Sequence, residues 1–211
     1  MIEALLNQIE HHPYPLIGCQ SLHRLCYFFR GVQFGSESAG KKMTLPYYGF
    51  QAWIEQRYAV FNTDASWASI IQLYALDDRE AFSVFFPLHR QYSTSLPDTQ
   101  IQAQIKNTDI APFHLDQLFK SIKENPTVVL GTFKIDDFKY FIEGVIVARQ
   151  QFDIQPTAEE LAYAKFPAWL FQFYQLKPVF PWERIYSFYQ NTHHLDAFFA
   201  DYQLFLETID E

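Results

Sequence analysis

Two stretches of this chain align without a gap: IEALLNQIEHHPYPLIGCQSLHRLCYFFRGV (2–32) and LDQLFKSIKENPTVVLGTFKIDDFKYFIEGV (115–145). Eight positions are identical: Leu5/Leu118, Ile9/Ile122, Pro13/Pro126, Gly18/Gly131, Tyr27/Tyr140, Phe28/Phe141, Gly31/Gly144 and Val32/Val145. The match resumes where FQAWIEQRY (50–58) meets FPAWLFQFY (166–174), and again where WASIIQLY (67–74) meets WERIYSFY (182–189). It closes with Ala81-Phe82 on Ala197-Phe198, Phe86 on Tyr202 and Leu88 on Leu204. A repeat of this length reads as one structural unit written twice. The units are 1–92 and 113–211, with a polar linker over 93–112 that has Pro97 and Pro112 near its ends.

Within each copy the apolar spacing is helical. Leu5, Leu6 and Ile9 fall on one helix face with Ile2, and Leu115, Leu118, Phe119 and Ile122 repeat it. Pro13 and Pro126 stop these helices, and Gly18 and Gly131 follow as turn residues needing permissive backbone angles. A second helix, with Ser21 as its N-cap, carries Leu22, Leu25, Cys26 and Phe29, matched by Ile135, Phe138, Ile142 and Val145. Glycine inside a helix costs roughly 1 kcal/mol against alanine. Gly31 and Gly144, at matched places, therefore predict close helix–helix approach. Three further helices follow in each copy, around Phe50/Phe166, Trp67/Trp182 and Phe82/Phe198. The expected fold is all-α: two tandem, similar units of about five helices each, packed about an approximate two-fold, with side-by-side stacking as the alternative. A short strand at Val128-Val129-Leu130 carries little weight.

The composition narrows the function. Hydrophobic residues make up 49% of the 211 and aromatics 18%, which excludes a disordered chain and leaves rings over for a partner surface. The net charge is −8, unevenly spread: 7 basic against 9 acidic side chains in 1–98, and 9 against 15 in 99–211. An acidic field disfavours nucleic acid and favours a basic partner. No apolar run is long enough to span a membrane, MIEALLNQIEHH is not a signal peptide, and two cysteines make no disulfide framework. The expectation is a soluble, cytoplasmic protein with no cofactor.

Within the aligned blocks no Asp, Glu, His, Lys, Arg, Ser or Cys is identical in the two copies. Catalysis needs polar groups in fixed geometry, so nothing in the repeat itself marks a shared active site. Cys19, His23 and Cys26 have the spacing of three zinc ligands on one helix face. Thr132, Asp136 and Lys139 replace all three in the second copy, so packing is the preferred reading and no metal is expected. His11-His12 and His193-His194 read as helix-end and helix-start residues. Asp77-Asp78, Asp136-Asp137 and Glu159-Glu160 suit helix starts, where the dipole favours carboxylates. As surface groups, Asp136, Asp137, Glu159 and Glu160 are the candidate rim for a basic protein partner.

The first copy resembles a family of bacterial immunity-type proteins found beside polymorphic toxin genes of contact-dependent or type VI secretion systems. The resemblance rests on Pro13-x4-Gly18, SLHRLCYFFRGV (21–32), FQAWIEQRY, SWASII (66–71) and Asp78-Arg79-Glu80-Ala81-Phe82 leading to Phe85-Phe86 and Leu88. It covers residues 2–92, and the start departs from it with Pro13-Tyr-Pro in place of a Pro-Gly. It implies a non-enzymatic protein that binds a cognate toxin domain and occludes it, without catalytic residues to carry over. The alternatives are a hydrolase that reverses a toxin's modification, which needs a polar cleft in one copy only, and an adaptor bridging two partners.

Overall fold

The computed structural model describes residues 2–42, 49–61, 64–96, 106–107, 113–189 and 194–209. Among them it is helical throughout, apart from one two-residue bridge. The order is α1 (Ile2–His11), α2 (Tyr14–Ile17), α3 (Leu22–Ser38), β1 (Lys41–Lys42), α4 (Phe50–Tyr58), α5 (Trp67–Tyr74), α6 (Asp78–Ser95), β2 (Lys106–Asn107), α7 (Leu115–Glu124), α8 (Pro126–Val129), α9 (Ile135–Gln151), α10 (Ala158–Phe173), α11 (Arg184–Tyr189) and α12 (His194–Ile209). Strands β1 and β2 pair antiparallel, Lys41 with Asn107 and Lys42 with Lys106. This bridge ties part of the linker to the end of α3. Most of the expected linker lies outside the described residues.

The punctuation residues act as their chemistry requires. Ser21 caps α3 by accepting from the Arg24 amide, and Asp77 caps α6 by accepting from the Glu80 amide. Gly18 and Gly131 sit at φ of 71° and 77°, in the left-handed region. The prolines do more than stop a helix. Pro126 opens the four-residue turn α8, and Pro13 is the N-cap of α2 with Pro15 in its first turn, positions with no intrahelical amide bond to lose. Val128 and Val129 therefore end a helical turn, and no strand forms there. In the second half the helix expected at Trp182 begins only at Arg184. Pro181, Trp182 and Glu183 instead form a tighter turn, with carbonyls accepting from the amides three residues on.

Aromatic rings pack in the same pattern before and after the linker. Phe50 stacks on Trp53 at 5.9 Å and meets Trp67 edge-on at 5.5 Å; Phe166 stacks on Trp169 at 5.9 Å and meets Trp182 edge-on at 5.8 Å. Tyr58 lies 4.6 Å from Tyr74, and Tyr174 lies 5.1 Å from Tyr189. Ala59 and Gln175, at matched positions, both turn left-handed. Trp182 is buried, whereas Trp53, Trp67 and Trp169 are half-buried.

Buried apolar residues form two clusters. One draws on residues 5–92 with Tyr140 and Ala148, and the other on 115–205. Between them α3 and α9 make the most extensive helix–helix contact among the described residues. The contact is reciprocal. A Cβ on Gly31 would run into the Phe141 carbonyl, and one on Gly144 would run into the Phe28 carbonyl, so each glycine meets the partner of the other. That is face-to-face pairing, in which backbone approaches backbone because neither glycine has a side chain.

Candidate functional site

The crossing of α3 and α9 places their first turns side by side, and both are charged. Under the alignment His23 stands where the second half has Asp136, and Arg24 where it has Asp137. Each pairs across the seam with the counterpart of its neighbour. His23 Nε2 is 2.5 Å from Asp137 Oδ1, and Arg24 Nη2 donates to Asp136 Oδ2 at 3.1 Å. One half supplies the bases and the other the acids. Asp136 and Asp137 also lie in the first turn of α9, where the helix dipole favours them. The His23 amide donates to Asp78 Oδ1 at 3.1 Å, which ties this seam to the start of α6.

Behind the ion pairs lies a buried network. Tyr140 Oη accepts from Arg24 Nη1 at 2.7 Å and donates to Glu183 Oε1 at 3.3 Å. Lys139 Nζ is 3.0 Å from Glu183 Oε2 and 3.6 Å from Glu143 Oε1. Glu183 is fully buried, an expensive place for a carboxylate unless a cation answers it. Arg24 also lies over the Tyr140 ring at 4.8 Å, and Arg30 lies over the matched Tyr27 at 5.2 Å. Arg30 also donates to the carbonyls of Leu130 and Val129, just before α9. Burial pushes the Glu143 carboxyl up to about 7, against the pull of Lys139. Burial likewise pushes the Tyr27 hydroxyl up to about 12, with Asp137 adding to it.

A cleft of about 360 Å³ opens on this seam, lined by His23, Lys134, Ile135, Asp136, Asp137, Ser187 and His194. Its chemistry is polar: a buried carboxylate fixes one imidazole nitrogen of a half-exposed histidine, and a serine and a second histidine share the wall. His193 lies outside the described residues.

The expected zinc spacing is not realised as a helix face. Cys19 precedes α3, His23 is turned onto Asp137, and burial pushes the Cys26 thiol up to about 11, away from the thiolate a metal takes. Among the described residues, the donor atoms that do converge are those of His114, Asp116 and Glu159, all within 4.8 Å of one another at the starts of α7 and α10.

The four candidate rim acids do not form one surface. Asp136 is half-exposed and paired with Arg24. Asp137 is 2% exposed, held by His23. Glu159 is half-exposed near His114, and the Thr157 hydroxyl helps hold its carboxyl below the usual range. Glu160 is 5% exposed, bound to Arg149 Nε at 2.9 Å, and completes a capping box with Thr157. Asp137 and Glu160 thus lie in the interior and not at a rim: each sits at a helix start, and each is answered by a side chain from another helix, the His23 imidazole or the Arg149 guanidinium.

A run of partly exposed aromatic rings lies elsewhere. At the corner of α10 and α11, Trp169 stacks on Phe173 at 4.8 Å, Phe173 meets Tyr174 at 5.2 Å, Tyr174 meets Tyr189 at 5.1 Å, and Tyr189 meets Phe188 at 5.0 Å. Phe188 is 79% exposed, and Phe173 and Tyr189 about half. Five rings in unbroken contact make a ladder open to solvent.

No family model, curated protein or solved structure matches the chain. Its site is therefore built from its own geometry.

Polar residues shared by the two copies do not mark the seam. The signal was present in another form: opposite charge at matched positions, His23 against Asp136 and Arg24 against Asp137. The pairs that meet are those of adjacent positions, His23 with Asp137 and Arg24 with Asp136, so basic side chains in one half and acidic ones in the other let both contacts form. The network behind it left no such trace, because Lys139 is matched by Cys26 and Glu183 by Ala68.

Proposed function

We propose that this chain is an immunity protein that binds a cognate toxin domain and neutralises it by stoichiometric occlusion, in the cytoplasm. The observation that carries the reading is the exposed aromatic ladder at the α10–α11 corner. Exposed large rings in contact with one another are the anchors from which protein interfaces draw most of their energy. The net charge of −8 supports a basic partner and fast capture of it. The resemblance of residues 2–92 to immunity-type proteins supplies the identity of that partner. Asp136 and Glu159 are half-exposed, but at separate places from the ladder. Among the described residues no helix is long and apolar enough to cross a membrane. The test is coexpression with the toxin encoded beside it: protection of the cell, with a complex of fixed stoichiometry recovered by size-exclusion chromatography, supports the reading.

One observation favours a second reading. The seam cleft places the His23–Asp137 pair, formed between the two halves, in one cleft with Ser187. A buried carboxylate orienting a histidine is the arrangement of a general base. A hydrolase acting on a toxin-made modification would use it. Protection lost on His23→Gln, with partner binding intact, would favour this reading over occlusion.

A further inference from the structure

We propose that the aromatic ladder of the second half is a docking surface for an arginine-bearing segment of the partner protein; this rests on the protein-binding reading and adds the chemistry of the partner. The argument compares the two halves at matched positions. In the first half the exposed face of Trp53 is already covered from within: the Arg57 guanidinium lies 5.3 Å from its ring centre. In the second half Phe173 stands at the position of Arg57, stacked on Trp169, and Phe188 stands at the position of Leu73. The internal cation has been removed and ring surface added.

A carboxylate has been added too. Asp201 accepts from the Tyr174 hydroxyl at 3.0 Å, beside the ladder, where the matched residue of the first half is the buried Phe85. Ring faces next to a fixed carboxylate are what a guanidinium recognises: it stacks through its plane and donates through its edge. The chain uses the first of these contacts internally, with Arg24, Arg30 and Arg149 lying over Tyr140, Tyr27 and Phe113. The wider field has the same sign of preference, since residues 99–211 carry 9 basic and 15 acidic side chains. A second copy of this chain is the poorer occupant, because two molecules of charge −8 repel.

Isothermal titration of the full chain with two synthetic peptides tests this. One alternates arginine with leucine, and the other has lysine at every arginine. The expected result is binding of the arginine peptide at least about tenfold tighter than the lysine peptide at 0.15 M salt. Phe188→Ala/Tyr189→Ala and, separately, Asp201→Asn should each weaken it by about tenfold, while the matched Leu73→Ala/Tyr74→Ala changes it less than about twofold. Phe188 and Tyr189 are exposed, so unfolding midpoints will show whether these variants keep the fold. Equal affinity for the two peptides, or affinity indifferent to the ladder variants, overturns the proposal. If the toxin nevertheless binds, the protein-binding reading stands and its interface lies elsewhere. A dimer that dissociates on Phe188→Ala overturns it in favour of a second copy of the chain.

Discussion

Reversing one charge of the seam, and then its partner, measures how far the two halves depend on their opposite signs. Arg24→Asp removes the bonds to Tyr140 and Asp136 and sets a carboxylate against Asp136, with Glu183 behind. At the 3.1 Å separation of the Arg24–Asp136 pair, an effective dielectric of 20 gives a Coulomb energy of about 5 kcal/mol. Asp136 is 35% exposed, so solvent screening takes much of this, and a loss of about 2–3 kcal/mol is expected in the single variant. Asp136→Arg sets two cations together and should cost about 1–2 kcal/mol. The double variant Arg24→Asp/Asp136→Arg restores opposite signs and should recover a coupling of about 1.5 kcal/mol, though not the bond to Tyr140. Urea denaturation of the four proteins gives these values directly, provided the slopes agree. Additivity within about 0.5 kcal/mol would refute the seam as an electrostatic lock.

Three other outcomes follow from the same geometry. Gly31→Ala and Gly144→Ala each push a methyl into a backbone carbonyl of the facing helix and should each cost about 3 kcal/mol in urea melts. Removing the Glu183 carboxylate alone, as Glu183→Leu, leaves the buried Lys139 with Glu143 and the Tyr140 hydroxyl and should cost about 3 kcal/mol, part of which Lys139→Met in the same chain should restore. Two groups shifted by burial give opposing pH dependences over nearly the same range. Burial lowers the His89 imidazole to about 4, so the unfolded chain binds the extra proton and stability is lost as pH falls from 6.5 towards 4. Glu143 is raised to about 7, so the folded chain holds the proton and stability is lost as pH rises from 4.5 towards 7. The two slopes oppose one another between pH 4.5 and 6.5, so together they leave the profile nearly flat there; Glu143→Gln should leave stability rising with pH and His89→Gln should leave it falling, read as unfolding midpoints against pH.

Much of the fold was legible because helices announce their buried faces and their ends. Leu118, Phe119 and Ile122 are spaced for one face and are buried on it, and Ser21 is a cap by both chemistry and position. The paired glycines carried the most long-range information, since only a close approach repays glycine in mid-helix. What was illegible depends on tertiary choice. A proline can end a helix or begin one, and Pro126 begins one. The bridge at Lys41–Lys42 and Lys106–Asn107 has no apolar alternation to mark it. The burial of Asp137 and Glu160 could not be read locally, because it depends on His23 and Arg149 arriving from other helices. The ladder is a matter of which aromatics the packing leaves outside, and spacing alone does not separate Phe188 from the buried Phe198.

The most direct test of the proposed function is a titration of toxin activity in vitro. The toxin domain that the proposal requires, purified, is held at fixed concentration while this protein is added, and residual activity is followed. Occlusion predicts a linear fall that ends at a fixed, near-equimolar ratio, with the inhibited toxin recovered in a complex. Full protection at highly substoichiometric protein, with the modified target restored by turnover and no complex formed, would contradict it and give the seam cleft the active role.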